Sequence, residues 1–503
     1  MKKNNIILSA LFLVGLSSCQ KYLDINKDPD RISESDAPIV QLLTNVTVNT
    51  GFAAGSDLNR YPAIIMQQFS GQTTGGESQT QQYEKYLIQS ADVNNLWSTF
   101  YATTLNDIEV IIRQANTQNL PYYRGVAKLL KAYNYHQLVD AFGDIPYSET
   151  QLTSANTSPK FDAGSTVYTG ILATIDEALA DLALTSTALA PGTNSTIYSG
   201  TFATRRVNWI RFGNTLKLRL LLHYSKLNRA DCVARITALV NQAGVQFFTS
   251  NADNFEMPFF NVTNRQNPIH QFDLSRNNNL FPNKFLVDLM NSNNDPRRPF
   301  YFTPFPFSSS NYVGAASADP QSINYSRFHT FLRGAVTLAG TPNANGSLNA
   351  LPAQGGITYD GTAPIRMLTF AEYNFIRAEA AVYGAPGDAQ TFFQAGITAS
   401  MQSAGVAAAD ISAYITANGT LTGTEAQRVA QIIGEKYRAS YGVMQEQWTD
   451  WRRTGFPAIT RVSNAVTTAI PRSLPYPQSE IDANKNAPPQ KPDLLQRVFW
   501  DNP

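Results

Sequence analysis

Four histidines, two cysteines and a few carboxylate pairs are the residues in this 503-residue chain that could make or break bonds. His136, His223, His270 and His329 stand far apart, and none sits in an HExxH pattern or a Cys/His cluster, so the spacing that holds zinc is missing. No G-x-S-x-G elbow, Walker A loop or G-x-G-x-x-G turn occurs. Gly75-Gly76 has no Lys-Ser/Thr after it, which leaves a loop without a phosphate cradle. Paired carboxylates could hydrolyse a glycoside. The pairs on offer, Asp140 with Asp144 and Glu372 with Glu379, fall in helix or helix-end settings. There a cap, a solvated carboxylate or a structural ion pair is the usual role. The sequence therefore predicts no catalytic residues, no metal and no cofactor. What remains is recognition chemistry: aromatic rings that stack, beside neutral side chains that hydrogen-bond hydroxyls.

Two segments combine those types outside any helical periodicity. The first runs from Gly71 to Tyr86 and offers Gln72, Gln79, Tyr83 and Tyr86. The second lies within residues 260–330 and offers Asn311, Tyr312, Tyr325 and Arg327. Exposed loops carried on a rigid scaffold are where ligand sites concentrate. Phe300, Phe302, Phe305 and Phe307 have a competing role, sealing their loop onto a scaffold.

That scaffold must be mainly helical. Val126, Leu129, Leu130, Tyr133, Leu138 and Ala141 recur along one stripe, opened by Pro121 and closed by Gly143. Trp209, Phe212, Leu216, Leu220, Tyr224 and Leu227 mark a second long helix. Thr369 with Glu372, and Thr424 with Gln427, read as capping boxes. Gly384 to Asp388 turns one helix into the next, giving a tetratricopeptide-like pair. Residues 251–360 break the pattern with Asn, Pro, Gly and aromatics, and read as a long loop-rich insertion. The segment from Pro471 onward is Pro-rich and is expected to wrap the helical body.

The chain opens with MKKNNIILSALFLVGLSSC. Lys2 and Lys3 precede a short apolar run, which ends in Leu16-Ser17-Ser18-Cys19. This reads as a signal peptide over residues 1–18 with a bacterial lipobox, and Cys19 is expected to be the lipidated (palmitate-type) N-terminus. Residues 19–35 read as a tether, and residues 36–503 as a single domain. Gln20, in place of an Asp, favours the outer membrane. With Cys19 acylated, Cys232 has no intrachain partner and reads as a buried thiol. Lys and Arg number 39 against 38 Asp and Glu, and this balance gives no footprint for nucleic acid. Charged residues are only 15%, so the surface must be built mostly from neutral polar groups.

Taken in order, these stretches resemble the SusD/RagB family of nutrient-binding outer-membrane lipoproteins, in the branch called SusD-like 2. The resemblance rests on Leu16 to Cys19, Tyr22 to Asn26, Trp97 to Asn106 and Ala132 to Tyr147. It continues in Glu372 to Ala380, Glu446 to Pro457, and Arg472 to Asn484 with Pro475-Tyr476-Pro477. It implies an all-α scaffold of four tetratricopeptide-like helix pairs with ligand-binding loops. It also implies a non-enzymatic lipoprotein on the cell exterior that caps a SusC-like, TonB-dependent transporter. Its ligand would be an oligosaccharide or, in some branches, a peptide; a surface glycosidase and a purely structural adaptor are the remaining readings. Within the motifs, Asp144 and Tyr147 are expected to tie a helix end to a neighbour. Trp97, Trp448 and Trp451 are expected in the core, and Glu446 with Arg452 as an ion-pair candidate. Replacing Cys19 by Ser should abolish fatty-acid labelling and release the protein from the membrane fraction; a variant that stays labelled and bound overturns the lipid assignment.

Overall fold

The structure is a computed structural model that describes residues 37–72, 76–150, 156–317, 322–348 and 355–502. Cys19 and the tether lie outside the described residues. Eleven described helices have ten or more residues. They are α1 (Ile39–Gly55), α2 (Asn106–Thr117), α3 (Pro121–Phe142), α4 (Gly164–Ala183), α5 (Phe202–His223) and α6 (Arg229–Val240), followed by α7 (Phe370–Val382), α8 (Ala389–Ala404), α9 (Ala408–Asn418), α10 (Glu425–Ala439) and α11 (Gln445–Thr454). Successive helices pack as pairs, most extensively α3 with α4 and α7 with α8. This is the helical, tetratricopeptide-like scaffold that the sequence predicts.

Local signals explain the helix ends. Pro121 stands in the first turn of α3, where its missing N–H costs nothing. Gly143 closes the helix at φ 84°, a conformation that a side chain would strain. The Thr424–Gln427 capping box is complete. At Thr369 only half of one forms: its side chain accepts from the Glu372 N–H at 3.1 Å, while the Glu372 carboxylate turns inward to Arg219. The expected run through Leu227 stops at His223, because Asn228 caps α6 by accepting from Asp231 N. α3 is also more than a striped helix. Nearly every residue from Pro121 to Phe142 is buried, since neighbours cover it all round. Between α7 and α8 the approach is close enough to require glycine: a methyl group at Gly396 would fall 2.7 Å from the Phe375 ring.

The loop-rich stretch is more ordered than its composition suggests. Phe255–Met257 pairs antiparallel with Ile365–Leu368, so the chain leaves and re-enters the helical body at one ribbon. Between them lie four short helices, Pro268–Ser275, Lys284–Ser292, Arg298–Tyr301 and Thr330–Arg333. None is long enough to display a 3.6-residue period. The first two start on caps, with Asn267 accepting from Ile269 N and Asn283 from Phe285 N. Aromatic rings hold the insertion down: Tyr301 stacks on Tyr441 at 4.7 Å, and Phe328 meets Phe69 at 4.6 Å. Phe302 is fully buried, while Phe300, Phe305 and Phe307 are half-buried.

A buried ionic network joins five helices. Arg219 of α5 grips Glu372 of α7 through two hydrogen bonds of 2.7 and 2.6 Å. Lys436 of α10 lies 2.8 Å from Asp450 and 3.3 Å from Glu446, both on α11. His223 Nε2 is 3.1 Å from Glu446, and His223 Nδ1 is 2.8 Å from the Tyr168 hydroxyl, which also donates to Asp140 of α3. Arg453 spans Glu379 and Asp450 at 2.8 Å each. Burial works against the ionised form of Glu446, yet His223, Lys436 and Arg219 hold it well below the usual carboxylate range. Burial pushes Asp140 and Glu372 up. Glu446 thus pairs between helices, whereas Arg452 pairs with no carboxylate among the described residues. Arg452 lies between Trp448 and Trp500, 4.0 and 4.7 Å from their rings, and donates to backbone carbonyls.

One of those carbonyls is Asp140 O, at 2.6 Å. The two that follow it on α3 are Ala141 O, reached by Leu474 N at 2.8 Å, and Phe142 O, reached by Lys491 Nζ at 2.6 Å. The C-terminal segment thus supplies the donors that a helix end lacks. Asp144 Oδ1 accepts from Gly164 N at 2.8 Å, so it ties the end of α3 to the start of α4 as expected. Cys232 is buried, and burial pushes its thiol up to about 12.

The insertion also carries a pH-sensitive cluster. His270 and His329 sit beside Arg333, which donates to His270 Nδ1 at 3.3 Å and pairs with Asp273 at 2.6 Å. Asp360 also faces His270. Burial first, and Arg333 second, bring both imidazoles down to about 4 from 6.5. Neutral histidine is therefore favoured in the folded state. Its contribution is present above 6.5 and is lost as pH falls toward 4. For His270 the loss at pH 5 is about 2 kcal/mol. Urea unfolding at pH 7.5 and 5.0 should show that loss, and His270→Gln should reduce it; an equal pH dependence in the variant would show that His270 does not carry it.

Candidate functional site

The two segments singled out in the sequence meet on one face. Phe69–Gly71 pairs antiparallel with Leu280–Pro282, placing Ser70 opposite Phe281. Gln72 N and Thr80 Oγ1 both donate to Asn279 O, at 3.0 and 2.7 Å. On the other side, Ala315 N reaches Pro282 O at 2.9 Å, and Ser326 N reaches Val313 O at 2.8 Å. Residues 70–72, 280–283, 313–315 and 326 therefore form one continuous strip.

The strip sorts the predicted side chains. Tyr312 is half-buried, 6.2 Å from the Phe302 ring, with the Arg298 guanidinium 5.5 Å away. Tyr325 is half-buried and stands edge-on to Phe281 at 5.7 Å. Asn311 is exposed. These three keep part of their surface exposed. Gln79 is exposed too, but its amide donates to Asp92 at 3.1 Å.

The other four are corrected. Gln72 is buried, with its amide nitrogen 3.3 Å from Ser70 Oγ. Tyr83, on the short Gln79–Glu84 helix, points into the body and meets Tyr61 edge-on at 4.9 Å. Tyr86 is buried as well, and burial raises its hydroxyl pKa. Neither ring can serve as a stacking platform, because both faces are already covered by protein. Arg327 is buried, donating to Leu348 O at 3.0 Å and Asn278 Oδ1 at 2.5 Å, with its guanidinium 5.0 Å from the Phe281 ring. It positions the strip instead of facing solvent.

Sequence reasoning missed neutral amides that complete this face. Asn345 donates to Asn324 Oδ1 at 2.7 Å, and both are exposed. Asn278 bonds Arg327 and has φ 64°, a value that asparagine tolerates better than most residues. The run Asn277-Asn278-Asn279 was the available signal for it. Half-exposed tyrosine faces beside neutral amides suit a hydroxyl-rich ligand. Among the described residues, no group of three His, Cys, Asp or Glu could hold a metal ion. Glu372 and Glu379 are bound to Arg219 and Arg453 in the interior.

A concavity of about 210 Å³ lies where the C-terminal segment meets the body, lined by Trp97, Tyr101, Tyr135, Asn106, Glu480 and Asn484. Its polar groups are mostly engaged. Trp97 Nε1 donates to Glu480 at 3.2 Å, the Tyr101 hydroxyl to Pro146 O at 2.8 Å, and Asn484 to Pro159 O at 2.8 Å. Trp97, Trp448 and Trp451 are buried, as the sequence predicts. This hollow is a joint more than a receptor.

The fold is shared with solved structures. A chitin-binding protein superposes with a TM-score of 0.74 at 23% identity, covering 93% of this chain and 100% of its own. A SusD homologue from Bacteroides uniformis gives 0.72 at 21%, covering 92% and 99%. A chitin-binding SusD homologue from Flavobacterium johnsoniae gives 0.70 at 21%, covering 92% and 97%. No curated protein matches the sequence. Among the described residues no helix is long and apolar enough to cross a membrane. The family model SusD-like 2, described as starch-binding associating with outer membrane, matches residues 29–477, nearly the whole helical body, and on that match this chain belongs to the SusD-like family.

Proposed function

We propose that this protein is a surface-exposed lipoprotein of the outer membrane that binds oligosaccharide and passes it to a SusC-like, TonB-dependent transporter. Cys19 carries the lipid, and residues 19–35 tether a single domain to it. The observation that carries the reading is the strip on the insertion. There Tyr312 and Tyr325 lie on neighbouring hydrogen-bonded segments, flanked by Asn311, Asn324 and Asn345. Rings of this kind stack on sugar faces, and amides bond sugar hydroxyls. The family is described as starch-binding and two structural relatives as chitin-binding, which points the same way. Of the candidate carboxylate pairs, Glu372 and Glu379 are held by interior arginines and Asp144 ties a helix end, which favours binding without chemistry.

A peptide ligand is the second reading, favoured by one observation. The ribbon Val336–Leu338 with Thr358–Tyr359 has only two strands, and Val336 and Leu338 are 40% and 57% exposed. A free strand edge of that kind can accept an extended peptide.

Titration of the purified protein with starch and chitin oligosaccharides, and with a peptide mixture, separates the two readings. Tyr312→Ala and Tyr325→Ala should each weaken oligosaccharide binding about tenfold, the effect of losing one aromatic stacking contact. Their stability should change little, whereas Tyr83→Ala, which empties a core position, should cost about 3–5 kcal/mol. Unchanged affinity in both strip variants would place the site elsewhere. Gentle detergent extraction of the native protein should bring a large outer-membrane barrel with it, since a specific interface buries upwards of about 1,200 Å²; recovery of the protein alone would count against the transporter partner.

A further inference from the structure

A cleft of about 410 Å³ opens beside the start of the asparagine run, between α1, the helix Asp57–Ile65 and the helix Pro268–Ser275. Phe272 forms its floor. Two guanidiniums rest on that ring, Arg60 at 4.1 Å from its centre and Arg276 at 5.2 Å. Arg60 is held by Asp57 through a 2.6 Å bond. Arg276 is exposed, and no carboxylate among the described residues lies within ion-pair distance of it. By contrast Arg219, Arg297, Arg333 and Arg453 are each committed to a buried carboxylate. The charged residues lining the cleft are Asp57, Arg60 and Arg276, so it keeps one uncompensated positive charge. Phe52, 39% exposed, adds an apolar wall, and Ser56 lines the cleft beside it.

An arginine stacked on an aromatic ring keeps its fork of N–H donors free at the edge, aimed at an oxyanion. The position of this cleft matters as well. Arg276 is two residues from Asn278, which bonds Arg327 in the tyrosine strip. The asparagine run thus links the cleft to the strip along the chain.

We infer that this cleft is a subsite for an acidic sugar unit, with Arg276 pairing with its anionic group and Phe52 and Phe272 flanking its ring. The group is a sugar oxyanion, either a uronate carboxylate or a sulfate ester. This rests on the oligosaccharide reading above and deepens it: the preferred polymer is acidic, or mixed neutral and acidic. The neutral strip reads hydroxyls, and the cleft selects for charge.

Calorimetric titration of the full-length protein with oligogalacturonate, sulfated chondroitin oligosaccharide and neutral chitin oligosaccharide tests it. Wild type should bind one of the two acidic probes more tightly than the neutral one, and that affinity should fall as salt is raised. Arg276→Gln should weaken the acidic probe about tenfold, as expected for one charge-assisted contact. It should leave the neutral probe and the melting temperature unchanged, and Arg276→Lys should restore part of the loss. Which acidic probe responds names carboxylate or sulfate as the anion. If wild type prefers the neutral probe, or if Arg276→Gln binds the acidic probes like wild type, the subsite is wrong while the oligosaccharide reading stands. If no glycan binds at all, both fall.

Discussion

The network around Lys436 is the constraint on which the rest of the structure depends. Its members are nearly inaccessible to water, yet they carry formal charges from α3, α5, α7, α10 and α11. A buried ion costs several kcal/mol to desolvate, and only a close, hydrogen-bonded counter-ion repays it. Each of these five helices therefore has one place to sit. Slide α7 by a turn along α5 and Arg219 loses both bonds to Glu372, leaving that carboxylate displaced from its partner in the core. Apolar packing among these helices would tolerate such a slip far better, because it has no direction. The network specifies the arrangement more than it adds to stability.

It also bears on what the surface can be. Only 15% of the chain is charged, and a sizeable part of that is folded inward. What remains outside is rich in asparagine, glutamine, serine and threonine. The strip formed by residues 70–72, 280–283 and 313–315 inherits this character, and Arg327 beside it is enclosed. Neutral amides and tyrosine faces compete weakly with water one at a time. They bind well only when several meet a ligand with many hydroxyls in fixed positions.

How much of this was legible in the sequence depends on the range of the interaction. Helix ends were, because a cap is read from residues three apart: Pro121, Gly143 and the Thr424–Gln427 pair all act as their types suggest. The capping reading of Glu372 failed because a partner 153 residues away, Arg219, binds its carboxylate more strongly than the local N–H could. The meeting of the two loops was likewise out of reach, since it depends on a ribbon between residues 69–71 and 280–282. Tyr83 and Tyr86 have the residue type of a stacking platform, but type does not reveal which way a side chain on or just past a six-residue helix points. Tyr312, Tyr325 and Asn311 were legible as chemistry, though the neighbours Asn324 and Asn345 emerge only once the chain is folded.

The way α3 ends has a consequence for the order in which this chain can fold. Its final carbonyls are capped by Arg452, by the backbone of Leu474 and by Lys491, while Trp500 donates to Asp140 at 2.9 Å. The central helix is thus completed by residues more than three hundred positions further along the sequence. On a ribosome, α3 would emerge long before its caps exist, and contacts of such separation are the slowest to form. The buried carboxylate of Asp140 would meanwhile stay hydrated and hold the centre of the bundle open. Closing this end of α3 therefore depends on residues 452–500 being in place.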